Sequence, residues 1–284
     1  MKRMMKAMKW MLALVAIVLI AVSCGQKKAN EAPQKKVLVL YYSQTSNTKT
    51  LAQEIANKLG ADIEEIVPVQ AYDGDFQATI DRCNQEREQG ITPELKPIAA
   101  NLADYDTIFI GYPVWFGTFA PPMGAFLSQT DLSGKTIVPF CTFGSGGLDS
   151  SVKQLAEKQP NAEILPGYGV RAARMAAVPA EVDNFLKAGG FIEGEYTQLA
   201  DFPEQQPATE EQVAIFDKAV GDYPMINAKA KTVASREVPG GIEYLFTAEN
   251  QPREGAPAGV APTELKIYVL ALEGEDPVFT QVLR

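Results

Sequence analysis

The feature that most constrains the fold is the stretch Val37 to Thr48, in which an apolar strand runs directly into a polar turn. Its first four residues, Val37 to Leu40, are all apolar and include two β-branched valines, which is typical of a parallel strand buried on both faces. The amphipathic run after the turn predicts a helix that ends at Gly60. A strand, a polar turn and a helix N-terminus together predict an anion-binding site.

The side chains of the turn indicate which anion it binds. Free backbone N–H groups at a helix start favour a phosphate, and hydroxyl side chains add donors without a fixed charge. The turn contains no Lys or Arg, and it matches neither G-x-x-x-x-G-K-[ST] nor G-x-G-x-x-G. A single terminal phosphate fits best, with an ordinary capped turn as the alternative. The predicted contacts are Ser43, Gln44, Thr45, Ser46, Asn47 and Thr48.

The chain from residue 36 to residue 190 alternates apolar stretches with amphipathic ones. Further strands are predicted at Asp62 to Val67, Thr107 to Ile110, Lys135 to Thr142 and Glu163 to Val170, and helices at Phe76 to Gly90, Pro122 to Gln129, Asp149 to Lys158 and Ala180 to Ala188. Strands that alternate with helices predict an α/β fold with a doubly wound parallel sheet, here of five strands. Ligands of such sheets bind outside the carboxyl ends of the strands.

Two loops at these predicted ends have a composition suited to a flat ligand. The loop after the third strand is rich in aromatic residues and proline, and the loop after the fourth strand contains three glycines that let backbone approach a ligand closely. The predicted contacts are Pro113, Val114, Trp115, Phe116, Gly117 and Thr118 in the first loop, and Thr142, Phe143, Gly144, Ser145 and Gly146 in the second.

These segments resemble the flavodoxin family, whose FMN-phosphate loop runs hydroxyl-x-Thr-x-Asn-Thr, as Ser43 to Thr48 does. A bacterial branch of that family has P-x-W-W-G, A-P-P and G-K-T-I-x-P-F-x-T blocks. Their counterparts here are Pro113 to Gly117, Ala120 to Pro122 and Gly134 to Thr142. The similarity covers about Lys36 to Gly190, and it implies FMN as the cofactor.

Three positions depart from the family pattern. Ser46 stands where Gly or Ala is usual, Phe116 replaces a second Trp, and Phe143 stands where a His is common. The resemblance implies that Trp115 covers the flavin ring, with Tyr112 and Phe143 as further candidates. The alternative is that Trp115 and Phe116 only close the core beneath the loop.

The N-terminus has the features of a signal segment. Four Lys and Arg residues precede thirteen uncharged residues, Trp10 to Val22, a run too short to span a bilayer. Residues 1–23 resemble a bacterial lipoprotein signal, which implies that Cys24 is lipidated and that residues 24–35 are a tether. A plain cleaved signal or an N-terminal membrane anchor is the alternative. The predicted location is the cell envelope, lipid-anchored in a bacterial membrane on the periplasmic or another extracytoplasmic side.

Composition excludes several kinds of chemistry. The chain has no His, so His-based catalytic triads and His-ligated metals are excluded, and a cofactor has to supply the chemistry. Removal of residues 1–23 would change the formal net charge from −9 to −13, which disfavours nucleic acid as a partner. Besides Cys24 only Cys83 and Cys141 are present, and both are predicted to be buried thiols.

The C-terminal part has a different pattern. Residues 191–208 indicate a linker, although Phe191, Tyr196, Leu199 and Phe202 indicate that part of it packs. Thr209 with Gln212 forms a capping box that opens a helix ending at Gly221. Two β-rich stretches follow, so residues 209–284 predict a small α+β domain that folds alone and adds nothing to the cofactor site.

This order of elements resembles the cystatin-like fold. In cystatins a Q-x-V-x-G turn enters the cleft of papain-like peptidases, and the counterpart here is Arg236 to Gly240, with Arg236 in place of the Gln. The resemblance leaves two interpretations, a peptidase inhibitor or a folded docking or spacer module. A peptidase or a docking partner would bind at Arg236 to Gly241.

The sequence therefore predicts an FMN-binding protein that passes electrons to a redox partner protein, with no catalytic or metal-ligating residues of its own. Aromatic cover and negative charge would disfavour the reduced anionic flavin, so a low reduction potential is expected. The alternatives are a flavin-dependent quinone or nitro reductase that uses NAD(P)H, or a cystatin-like module on an inactive flavodoxin scaffold.

Overall fold

A computed structural model describes residues 36–73, 75–221, 223, 226–252 and 261–283. The predicted signal segment, the tether and the lipidated Cys24 lie outside the described residues and stay predictions. Across the described ranges, every helix is too short or too polar to traverse a bilayer.

The first half of the chain forms the predicted parallel sheet, in the order β2-β1-β3-β5-β6. The strands are β1 (Val37–Tyr41), β2 (Asp62–Glu65), β3 (Thr107–Trp115), β4 (Thr118–Phe119), β5 (Thr136–Phe143), β6 (Glu163–Ile164) and β7 (Tyr168–Arg171). The two-residue β4 pairs antiparallel with the end of β3, and β7 pairs with β5 beyond β6. The doubly wound α/β fold predicted from the sequence is thus confirmed.

Helices cover both faces of this sheet, which explains why its strands are apolar at consecutive positions. The helices are α1 (Asn47–Leu59), α2 (Phe76–Gln89), α3 (Pro121–Gln129), α4 (Leu148–Lys158) and α5 (Val178–Ala188). On one face α1 and α5 pack against Val39 and Phe109, and on the other α2, α3 and α4 pack against Leu38 and Ile108.

The fifth strand, predicted as continuous from Glu163 to Val170, is broken into β6 and β7. Pro166 lies in the break and has no N–H to donate to a neighbouring strand. Gly167 approaches β5 so closely that a Cβ atom would lie 2.7 Å from the carbonyl oxygen of Pro139. The break is followed by β7 and by a 3₁₀ helix, Ala172–Ala177, which the sequence pattern does not predict.

The C-terminal part is the predicted α+β unit. It consists of α6 (Glu210–Val220) and an antiparallel sheet of β8 (Gln206–Pro207), β9 (Ala228–Val238), β10 (Gly241–Asn250), β11 (Thr263–Leu272) and β12 (Val278–Leu283), in the order β12-β11-β10-β9-β8. The capping box of Thr209 and Gln212 is present, and Phe216 of α6 packs against Phe246 with ring centroids 5.1 Å apart. The cystatin resemblance stays a prediction.

The predicted linker, residues 191–208, packs at several points along its length. The Phe191 ring lies 5.0 Å from that of Phe109, and the Phe202 ring lies 5.9 Å from that of Tyr268. Gln205 binds the hydroxyls of Thr232 and Thr247, each at 2.6 Å. This segment therefore joins the two sheets as packed structure, and the described residues from 36 onward form one compact unit.

The third strand is longer than the pattern predicts, because it continues past Gly111 to Trp115. Gly111 lies opposite Phe140 of β5, and the phenyl ring occupies the space above it. A Cβ atom at this position would lie 2.1 Å from Cζ of Phe140, so glycine is required by packing rather than by a strand end.

We expect Gly111→Ala to lower the free energy of unfolding of the apoprotein by about 1–3 kcal/mol, the usual cost of overpacking a core. Urea unfolding followed by circular dichroism measures the change. Gly144→Ala is the matched control, because a Cβ atom there meets no atom within 4 Å. Equal stability of the two variants would contradict this account of β3.

Candidate cofactor-binding site

A cavity of about 680 Å³ opens at the carboxyl ends of β1, β3 and β5, in the middle of the parallel sheet. Three loops and one face of α2 form its walls. The lining residues are Gln44, Thr45 and Asn47 after β1; Pro113, Val114, Trp115, Phe116 and Gly117 at the end of β3; Thr142, Phe143, Gly144, Ser145 and Gly146 at the end of β5; Asp75, Phe76, Thr79, Ile80 and Cys83 at α2; and Ala172.

The structure brings thirteen of the seventeen predicted contacts together in this lining and leaves Ser43, Ser46, Thr48 and Thr118 outside it. Thr48 is buried, and its hydroxyl lies 2.8 Å from that of Thr142, so it links the first loop to the third. The Thr118 hydroxyl donates to Oε1 of Gln154 at 2.7 Å, which secures the short β4 to α4.

The loop after β1 has an unpaired donor. The Ser43 hydroxyl is buried and has no hydrogen-bond partner in the part of the chain that the structure describes. A buried hydroxyl without a hydrogen-bond partner lowers the stability of the fold, and a bound ligand can supply the missing partner. The position beside the first turn of α1 fits a phosphate oxygen, since helix N-termini attract anions.

Ser46 shapes the same turn through its backbone. It is the residue before α1, it has a φ of 69°, and its side chain makes no capping hydrogen bond. A positive φ costs about 1 kcal/mol for a residue with a Cβ atom, which explains why a glycine would suit this position. The helix start is thus left without a side-chain cap from this residue.

The Trp115 indole is fixed at the cavity wall by two tyrosines beneath it. Its ring meets those of Tyr42 and Tyr72 edge-to-face, at centroid distances of 6.0 and 5.5 Å. The Tyr72 hydroxyl donates to Glu86 at 2.6 Å, and the Arg82 guanidinium lies 3.7 Å from the Tyr72 ring. Burial and this hydrogen bond raise the pKa of Tyr72 above its ordinary value, so the phenol stays protonated and the cluster intact.

Of the two further aromatic candidates, one is buried in the core and the other lines the cavity. Tyr112 is fully buried, and its hydroxyl donates to Ser151 at 3.1 Å, so it belongs to the core and does not line the cavity. Phe143 does line it. The Arg171 guanidinium lies 5.7 Å from the Phe143 ring and donates to the carbonyl of Gly144, which supports the third loop from outside.

Sequence reasoning missed the wall supplied by α2. Phe76 is 82% exposed and Phe116, which has a φ of 52°, is 53% exposed, so two aromatic rings flank the cavity with little cover. Phe76, Ile80 and Cys83 share one face of an otherwise charged helix. This apolar face was the one signal in the sequence, and it does not identify the cavity as the surface that the face meets.

The described lining contains one carboxylate, Asp75, and no Lys or Arg. Within the described ranges no group of His, Cys, Asp and Glu residues is arranged to hold a metal ion. Burial raises the pKa of the Cys83 thiol to about 11, with Glu86 adding to the effect, so this thiol is neutral at physiological pH. The described lining is therefore mainly binding surface, with Asp75 as its one carboxylate and Cys83 as its one thiol.

A doubly wound sheet with this cavity at its carboxyl edge defines an α/β protein that binds a ligand where such folds do. The model of the flavodoxin family matches residues 36–184, and the chain belongs to this family. Membership of this family bears out FMN as the predicted cofactor.

Several solved structures are similar to this chain. A flavoprotein from Bacteroides eggerthii is 29% identical over 53% of this chain and 97% of its own, with a TM-score of 0.46. One from Bacteroides uniformis is also 29% identical, over 52% of this chain and 98% of its own, with a TM-score of 0.47. A flavoprotein from Lactobacillus acidophilus, solved in complex with FMN, is 27% identical over 48% of this chain and 93% of its own, with a TM-score of 0.44.

We expect Cys83 and Cys141 to resist iodoacetamide at pH 8 in the native protein and to react once it is unfolded in urea. Burial raises their pKa values to about 11 and about 12, so less than about one thiol in a hundred is ionised at pH 8. Peptide-resolved mass spectrometry measures the labelling, and the unfolded protein is the control. Fast native labelling of Cys83 would show that the cavity wall at α2 is open.

We expect Ser43→Ala to weaken FMN binding about tenfold while leaving the apoprotein as stable as before, or more stable by up to about 1 kcal/mol. The reason is that the variant removes an unsatisfied buried hydroxyl and, with it, one donor to a charged group. Flavin titration and urea unfolding measure the two effects. The exposed Ser235→Ala is the control. A loss of stability without a loss of affinity would show that Ser43 has a structural role.

Proposed function

We propose that this protein is an electron-transfer flavodoxin that binds FMN and is held at a bacterial membrane through a lipid on Cys24. The observation that carries the proposal is the buried Ser43 hydroxyl, which has no hydrogen-bond partner among the described residues and lies in the same turn as Gln44 and Thr45, which line a cavity with aromatic walls. A donor without a partner fits a phosphate, and the aromatic walls fit a planar ring.

At the phosphate end, Ser43, Thr45 and Asn47 would donate hydrogen bonds together with the first N–H groups of α1. The hydroxyl of Thr48 is already paired with Thr142, so its part is to hold the first and third loops together. Because none of these groups carries a fixed charge, the helix start supplies the positive end of the dipole.

At the ring end, bound FMN supplies one-electron and two-electron redox chemistry. The residues of this chain supply shape and polarity. Trp115 presents a ring held in place by Tyr42 and Tyr72, and Phe143 with Gly144 closes the third loop. These apolar walls exclude water, and the lining holds no Lys or Arg to favour a negative charge on the ring, which supports the expected low potential.

The open mouth of the cavity supports transfer to a partner protein. Phe76 and Phe116 flank it with large exposed fractions, and exposed aromatic surface is typical of interaction sites. A partner that covers this mouth would bring its own redox centre next to the ring.

The apolar wall of α2 also favours a second candidate, a flavin-dependent reductase of quinones or nitro compounds that uses NAD(P)H. Phe76, Thr79 and Ile80 would let a flat substrate stack over the ring. The lining contains no general base for such a substrate other than Asp75, so the carrier is preferred.

The turn predicted to bind a peptidase or a docking partner has other contacts. Val238 is 6% exposed and packs with Ala177 and Leu270, and a Cβ atom at Gly240 would lie 3.2 Å from that of Ala180. Arg236 binds Glu243. These contacts add no support to the inhibitor or docking interpretations.

We expect the apoprotein to bind FMN with a Kd below about 10 μM and to retain flavin absorbance through gel filtration. The titration uses chain refolded from denaturant with excess FMN, and riboflavin, which lacks the phosphate, is the matched control ligand. Riboflavin should bind at least tenfold more weakly.

Failure to retain any flavin would overturn the proposed function, and equal binding of riboflavin would overturn the role given to the loop after β1. Steady oxidation of NADH or NADPH by the holoprotein in the presence of a small quinone would rank the reductase above the carrier.

A further inference from the structure

One short segment connects the third loop of the cavity to the C-terminal sheet. At its start, Arg171 at the end of β7 donates to the carbonyl of Gly144 and lies over the Phe143 ring. The next residue, Ala172, lines the cavity and begins the 3₁₀ helix Ala172–Ala177. The position of this helix therefore determines where the Arg171 guanidinium meets the loop.

Arg174, within the same 3₁₀ helix, is held by carboxylates from two directions. Its guanidinium binds Glu181 of α5 with one nitrogen and Glu243 of β10 with another. The Arg174 side chain is 17% exposed and that of Glu243 is 7% exposed. Burial alone would lower the pKa of Arg174, but Glu181 and Glu243 outweigh it and the pKa is raised. This arginine is therefore charged and fixed in place.

The second carboxylate oxygen of Glu243 accepts hydrogen bonds from within the C-terminal sheet. Arg236 of β9 donates to this oxygen through two nitrogens, at 2.7 and 2.9 Å. A buried carboxylate that is shared between two guanidiniums has one favourable arrangement, because leaving either cation or the anion unpaired in a dry interface is costly.

Apolar contacts surround this ion cluster. Ala177, at the end of the 3₁₀ helix, is buried with Val238 and Leu270 of the C-terminal sheet, and Leu272 packs against them. The edge strand β12 also lies alongside the 3₁₀ helix. The segment that supports the third loop is thus packed between the two sheets.

We propose that Glu243 is a positioning residue for the cofactor loop. Through Arg174 it fixes the 3₁₀ helix, and the helix fixes Arg171 against Phe143 and Gly144, so the C-terminal sheet keeps residues 142–147 in their binding conformation. This inference rests on the proposed function, and it differs from the sequence-based expectation that residues 209–284 add nothing to the cofactor site.

The test compares Glu243→Gln with Glu249→Gln in the full chain. Glu249 lies on the same strand, but its side chain is 40% exposed and pairs with Lys231 at the surface. In the absence of FMN, we expect amide hydrogen exchange in Glu243→Gln to rise at least threefold in residues 142–147 and 171–177 and to stay unchanged in β1 and α1. FMN affinity should fall about fivefold, and the midpoint potential of bound FMN should shift, whereas Glu249→Gln should match the wild type in each measurement.

Arg174→Lys is the second variant, because it keeps the charge but cannot reach both carboxylates in the same way, and it should reproduce the exchange pattern if Glu243→Gln does not fold. Unchanged exchange in residues 142–147 in whichever variant folds, or exchange that rises uniformly through the chain, would overturn the positioning role. The exchange measurement needs no flavin, so it decides this inference even if the chain proves not to bind FMN.

Discussion

The burial of β1 on both faces is the constraint on which the rest of the structure depends. Leu38 faces α2, α3 and α4 while Val39 faces α1 and α5, and a slip of the strand by one residue would place Lys36 or Ser43 where an apolar residue now packs. That register fixes where the strand ends, and so where the turn that holds the buried Ser43 hydroxyl meets the start of α1. The packing of this buried strand thus determines the position of the polar turn at its end, and with it the geometry of the binding site.

The other two cavity loops are placed by close contacts in the same sheet. Gly111 lets Phe140 pack against β3, and β3 can therefore continue to Trp115 beside the cavity. The hydrogen bond between Thr48 and Thr142 then links the loop after β1 to the end of β5. The site is therefore built from strand ends whose relative positions are set in the core, which is how a scaffold preorganises a ligand site.

The sequence was sufficient for features with local causes. The alternation of apolar strands with helices predicted the sheet, and the pair Thr209 and Gln212 predicted a helix start. The sequence was not sufficient for features that depend on contacts between residues far apart in the chain. The break at Pro166 depends partly on the approach of Gly167 to Pro139, and the burial of Tyr112 depends on its partner Ser151. The wall formed by α2 was missed because helix periodicity gives the apolar face of a helix but not the element that it faces.

The same limit applies to the division of the chain into parts. The apolar residues of the proline-containing segment between the two patterns predict that part of it packs, but they do not predict its partners, and Phe202 and Gln205 lie on the C-terminal sheet. Arg174 and Glu243 are 69 residues apart, so no local pattern relates them, and each would be interpreted alone as a solvated charge. Once paired they are among the least exposed charged side chains described, and their burial depends on both sheets being present. An ion cluster with this dependence transmits position between the two parts, because each part alone supplies only one of the two partners of Arg174 and one of the two partners of Glu243.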